Sequence, residues 1–244
     1  MVNSLSLDGV DLSVYGLIVN VSNLPVSQTT VITTLQDRGF AGRSSLIPKT
    51  ISLEASITGS ALTNLLSNLD SIKKILNNRE VVKLILDVLN DRYWEVRFQS
   101  LEGKIISPTV WQGSLEFIAP NPLAYDINLT ENSYAVNADP KAIIETVGGT
   151  ADTEPIYTLT AGEDLTNVAI KIENDGKALT WTGSLLNGQK LEVDVEHWVV
   201  KKEGTADMVI SGEFPHLVPG DNNIQVINFG ILGTLKIVYR NRFI

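Results

Sequence analysis

Residues 50–57 read Thr-Ile-Ser-Leu-Glu-Ala-Ser-Ile, apolar and polar in alternation, which is the period of a strand with one face buried. The period then changes. Leu62, Leu65, Leu66, Leu69, Ile72, Ile75 and Leu76 recur at three-and-four spacing, which predicts one amphipathic helix at about 60–77, with Ser60 as cap and Asn77-Asn78 as stop. Residues 81–87 and 93–99 are rich in β-branched and aromatic side chains and are separated by the turn residues Asn90-Asp91, so they predict a hairpin. Residues 110–118 form a further strand, and Pro120 and Pro122 remove the donors that would extend its ladder. Ahead of all these, residues 5–21 predict two short strands punctuated at Asp8-Gly9 and Tyr15-Gly16.

The first domain should end near Tyr125. Residues 128–141 are polar and serve either as a linker or as the first strand of the second domain, so the chain is divided into domains 1–130 and 131–244. In the second, strand patterns at 142–147, 156–161, 168–173, 179–185, 190–197, 207–211, 223–229 and 233–239 alternate with turns such as Asn187-Gly188, the spacing of an antiparallel sandwich. No helical pattern of comparable strength occurs there. The fold class is mainly β, with one helix in the N-terminal domain.

A length of 244 residues accommodates two domains, and 43% apolar against 19% charged residues describes a folded chain. The formal charge of −9, with lysines clustered no further than Lys73-Lys74 and Lys201-Lys202, argues against a general nucleic-acid binder. Cysteine is absent, which removes disulfides, thiolate metal sites and cysteine nucleophiles. The opening residues lack a basic n-region and no run of about eighteen apolar residues occurs, so a soluble chain without signal or membrane span is expected.

Candidate chemistry is sparse. The two histidines are His197, beside a strand, and His216, in the turn-rich stretch Phe214-Pro-His-Leu-Val-Pro-Gly220; no Gly-x-Ser-x-Gly elbow accompanies them. Glu192, Asp194 and Glu196 fall at period two, on one strand face opposite Leu191, Val193 and Val195. Such a row can meet a hard cation, but it is first of all a solvated sheet face. Trp181 and Trp198 are either packed between sheets or, with His197, a surface on which sugar rings stack. Trp94 and Trp111 read as core or interface. No catalytic, cofactor or metal residue is assigned.

A set of short segments carries a resemblance. In the first half these are Gln36-Asp-Arg-Gly-Phe-Ala-Gly42 ahead of the alternating strand, Thr58-Gly-Ser60 entering the helix, and Asn90-Asp-Arg-Tyr93 in the hairpin. The seam Leu115-Glu-Phe-Ile-Ala-Pro-Asn-Pro-Leu-Ala-Tyr125 comes next, and then Asn174-Asp-Gly176, Leu191-Glu-Val-Asp194, Gly212-Glu-Phe-Pro215 and Leu217-Val-Pro-Gly-Asp-Asn222. In this order the chain resembles the distal tail proteins of long-tailed bacteriophages, the siphophage tail component family. The resemblance implies a β-rich ring-forming N-terminal domain and a galectin-like C-terminal β-sandwich. It further implies a structural, non-enzymatic component of the tail tip or baseplate. Six copies would close into a ring joining the tail tube to the tail-tip hub, and DNA would pass through the channel without specific binding. The implied partners are further copies of the chain, the major tail tube protein and the hub protein; the implied location is the virion tail tip, after synthesis in the host cytoplasm. Some family members carry large inserted saccharide-binding modules, for which this chain leaves no room.

Two surfaces are expected on this basis. The weakly hydrophobic arm of residues 29–43 is poorly suited to pack within its own domain, so Thr29, Val31, Ile32, Leu35, Arg38, Phe40 and Arg43 are the expected contacts to a neighbouring subunit. Trp181, His197 and Trp198 are the expected surface under the alternative function, a carbohydrate-binding sandwich module involved in host recognition.

Overall fold

Strand β6, residues Arg92–Ser107, is the organising element of the N-terminal half. The computed structural model describes residues 4–20, 48–77, 80–174, 176–207 and 209–244, and it divides into two units, residues 1–125 with Ile244, and residues 126–243. Unit one contains β1 (Leu5–Leu7), β2 (Val10–Asp11), a short 3-10 turn (Leu12–Tyr15), β3 (Leu17–Asn20), β4 (Lys49–Thr58), helix α1 (Leu62–Leu76), β5 (Val82–Leu86), β6 and β7 (Val110–Ala119), with β8 (Ala124–Asp126) at the division. Its strand path runs β2-β1-β5-β6-β7-β4-β3, all antiparallel. The first part of β6 pairs with β5 (Val96 opposite Val82). From Arg97 onward it pairs with β7, with a register shift between Phe98 and Ser100. A bulge bends and twists a strand, and here it marks where β6 leaves one partner for the next.

The alternation at residues 50–57 is that of a half-buried strand: Ile51, Leu53, Ala55 and Ile57 of β4 are buried and the residues between them are not. Helix α1 lays Leu65, Leu69, Ile72 and Leu76 against β4 and the 3-10 turn, each such side chain contributing roughly 1.5–3 kcal/mol of burial. Its start differs from expectation. Ala61 is the N-cap and makes no side-chain cap bond, while the Ser60 N–H donates to Asn64 Oδ1 at 3.0 Å, so the helix's own first turn reaches back to the entering chain.

Unit two is an antiparallel sandwich. Its strands are β9 (Thr130–Val136), β10 (Lys141–Val147), β11 (Ile156–Ala161), β12 (Leu165–Asn174), β13 (Lys177–Leu185), β14 (Lys190–Asp194), β15 (Val199–Lys202), β16 (Thr205–Ala206), β17 (Ile210–Gly212), β18 (Gly220–Ile227), β19 (Gly233–Tyr239) and β20 (Arg242–Phe243). One sheet has the order β10-β18-β12-β13-β17 and the other β16-β15-β14-β11-β19-β9. Trp181, Tyr157, Phe229, Leu159, Ile170 and Ile237 fill the space between them. Residues 130–136 are the first strand of this unit, paired along their length with β19. The strand predicted at 190–197 stops at Asp194, and residues 195–198 form a turn into β15.

Candidate functional site

The turn after β14 holds three of the residues singled out from sequence. Asp194 is buried, and its carboxylate accepts from the His197 N–H at 3.0 Å and stands 2.9 Å from His197 Nδ1. Val195 is buried and donates its N–H to Pro155 O at 3.1 Å. This anchorage holds Trp198 at φ +57, a left-handed conformation that is uncommon for a bulky residue. The Trp198 indole is 53% exposed and stacks on Phe214 at 6.0 Å between centroids.

The carboxylate row does not form. Glu192 pairs with Lys201 at 3.0 Å, whose own pKa is raised by that hydrogen bond and charge; Asp194 caps the turn; Glu196 stands 3.5 Å from Arg242, which also holds Glu154 at 2.9 Å. The row fails because the strand ends between its second and third members. Trp181 is 1% exposed, between the sheets, so it shares no surface with His197 and Trp198. His216 makes local contacts, with Lys177 Nζ 3.0 Å from its ring and Asp152 at 3.3 Å. No group of three or more acidic or histidine side chains positioned for a metal ion occurs among the described residues.

A buried carboxylate that sequence reasoning missed closes the sandwich. Glu145 on β10 is 2% exposed and accepts hydrogen bonds from Tyr134 Oη at 2.6 Å, Asn132 Nδ2 at 2.7 Å and Tyr239 Oη at 2.8 Å. β10 is an edge of one sheet, and β9, which carries Asn132 and Tyr134, is an edge of the other. Glu145 therefore clasps the two edges. Burial first, then the bond to Glu145 and its charge, push the Tyr134 phenol up to about 12. Burial likewise raises Tyr157 and Tyr239, with Glu145 adding to both. The signal was present in the sequence, because Glu145 shares its period-two face with Ile143 and Val147.

Among the described residues of unit one, the far end of the β6–β7 hairpin is an exposed surface. Residues 102–106 are five consecutive exposed strand positions, with Ile105 and Ile106 44% and 49% exposed. Trp111 is buried there over the facing pair Gly103 and Gly113; a Cβ on Gly113 would lie 2.6 Å from its ring. The expected interface residues Thr29, Val31, Ile32, Leu35, Arg38, Phe40 and Arg43 lie outside the described residues.

One unit is a helix-backed sheet and the other an edge-clasped antiparallel sandwich, which defines a mainly β class of protein. Residues 148–243 match the family model of the siphovirus-type tail component, C-terminal domain. The crystal structure of the SPP1 Dit (gp 19.1) protein, described as a paradigm of hub adsorption apparatus in Gram-positive infecting phages, is similar over 100% of both chains, with a TM-score of 0.75 at 17% identity. At that identity the likeness is one of fold. The phage P2 baseplate in its activated conformation with Ca is similar over 98% of both chains at 11% identity, with a TM-score of 0.41. No curated protein matches the sequence. Domain and fold together bear out the resemblance to siphophage distal tail proteins.

Proposed function

We propose that the chain is a non-enzymatic structural component of a phage tail tip, forming a homohexameric ring that joins the tail tube to the tail-tip hub and leaves a channel for DNA. The domain match and the full-length fold similarity support the tail role. The observation that carries ring formation is the exposed strand end at residues 102–106. This stretch pairs with β7 and presents Ile105 and Ile106 outward, an exposed apolar patch of the kind that marks a protein interface. Head-to-tail contacts of this kind close into rings when the rotation permits. The arm of residues 29–43 belongs to the same proposal as a contact to the neighbouring copy.

Light scattering followed by negative-stain imaging at high concentration, alone and with the tube protein, tests the reading. Rings of six with an open centre are expected, and Ile105→Lys with Ile106→Lys should give folded monomers. Deleting residues 29–43 should do the same. A strict monomer even with tube protein present overturns the ring, and an intact ring after the deletion overturns the arm's role.

One observation favours a second reading, saccharide recognition: Trp198 is held half-exposed in a strained backbone conformation. Millimolar binding of an oligosaccharide, abolished by Trp198→Ala in a folded chain, would support it; no binding across a panel of host-wall saccharides removes it.

A further inference from the structure

Three loops converge at one end of the sandwich, and two of them hold aliphatic side chains out of the core. Leu186, Ile231 and Leu232 are 57%, 57% and 55% exposed. The two loops that carry them are both tied to the third, residues 161–164. Gly188 donates its N–H to Ala161 O at 2.7 Å and Asn187 to Asp164 Oδ1 at 2.7 Å; Ile231 donates to Glu163 Oε1 at 3.0 Å and Gly162 to Leu232 O at 2.8 Å. Asn228 adds a bond to Asp139 Oδ1 at 2.7 Å and another to Ala169 O at 3.1 Å. Gly230, at φ +79, takes a left-handed conformation that favours glycine. The aliphatic groups are thus presented by a pre-organised scaffold, which lowers the ordering cost of binding.

Beside them lies a shallow, open groove lined by Asp139, Glu163, Asn167, Val168 and Asn228. Among the described residues no lysine, arginine or histidine pairs with Asp139, Glu163 or Asp164. Aliphatic groups flanking uncompensated carboxylates are complementary to a cationic side chain with apolar neighbours. The groove has no aromatic platform for a sugar ring, and its charge repels nucleic acid.

We propose that this end of the C-terminal unit docks a segment of another tail protein that carries a lysine or arginine between aliphatic residues, the cation entering the groove and the aliphatics covering Ile231 and Leu232. The proposal rests on the tail reading. The chain has no cysteine, so Thr166→Cys, at an exposed position next to the groove, provides a unique thiol for a photo-crosslinker. The labelled full-length chain is incorporated into tails and the crosslinked peptides are mapped. Crosslinks to a different tail protein, close to such a basic-aliphatic segment, are expected. Asp139→Asn with Glu163→Gln, which keeps the loop-anchoring oxygens, should reduce their yield roughly threefold or more. Crosslinks only to a second copy of the chain, or to a segment lacking lysine and arginine, overturn the proposal and leave the tail reading standing, as does a thiol that reacts equally fast in tails and on the free chain. Absence of the chain from tails overturns both.

Discussion

Replacing Glu145 with alanine should loosen the C-terminal sandwich from its edges. Three hydrogen bonds to a charged acceptor are lost, each of a type contributing about 1.5–3 kcal/mol, but the sum overstates the cost. Asn132 and Tyr134 are half-buried and can turn to water, whereas the buried Tyr239 hydroxyl keeps a weaker acceptor, Thr146 O at 3.3 Å. Removing the carboxylate also removes the penalty of burying it. The balance is a destabilisation of about 2–4 kcal/mol for Glu145→Ala and about 1 kcal/mol for Glu145→Gln, whose amide retains one acceptor and can donate to a tyrosine oxygen. Because the chain has two units, a single global transition is a poor readout. Hydrogen exchange measured by mass spectrometry along a urea series, on peptides covering β9, β10 and β19, reports the clasp directly. Protection lost in those three strands, more for alanine than for glutamine, is the expected result. An alanine variant within about 0.5 kcal/mol of the parent would falsify the clasp, since that is the range of an ordinary surface change.

Tyr134, Tyr157 and Tyr239 have folded pKa values raised above the ordinary phenol value of about 10. Their stabilisation is therefore complete below that pH and is lost as pH rises through the folded values, about 12 for Tyr134. An ultraviolet phenolate titration should show a set of tyrosines that includes these three ionising later in the folded chain than in urea; identical titration in both states contradicts it. Gly113→Ala drives a Cβ to 1.9 Å from Glu102 O and should cost more than about 3 kcal/mol, whereas Gly188→Ala, at φ +84 in open space, should cost about 1 kcal/mol. Thermal melts of the two variants give the order, and equal melting temperatures would remove the steric argument.

Elements with one buried face were legible in the sequence because burial imposes a period. The helix at 62–76 and the strand at 50–57 are of this kind. The far half of β6 was not, since residues 102–106 are exposed on both faces and no alternation marks them. The end of β14 was misplaced by its neighbours: Val195 continues the apolar period of Leu191 and Val193, yet it is buried from a turn that Asp194 caps. The residues proposed for sugar stacking separated for a related reason. Trp181 and Trp198 have similar strand-like surroundings, and only three-dimensional placement shows one in the core and the other half-exposed.

The shared strand β6 has a mechanical consequence. Its hydrogen bonds to β5 and to β7 lie across one continuous backbone, so a pull along that backbone from its exposed end loads many bonds in shear at once. Bonds loaded together resist far more force than bonds opened singly from an end. A particle component joined to its neighbours through such a strand would transmit tension like a girder, while the same strand peeled sideways would open like a zip.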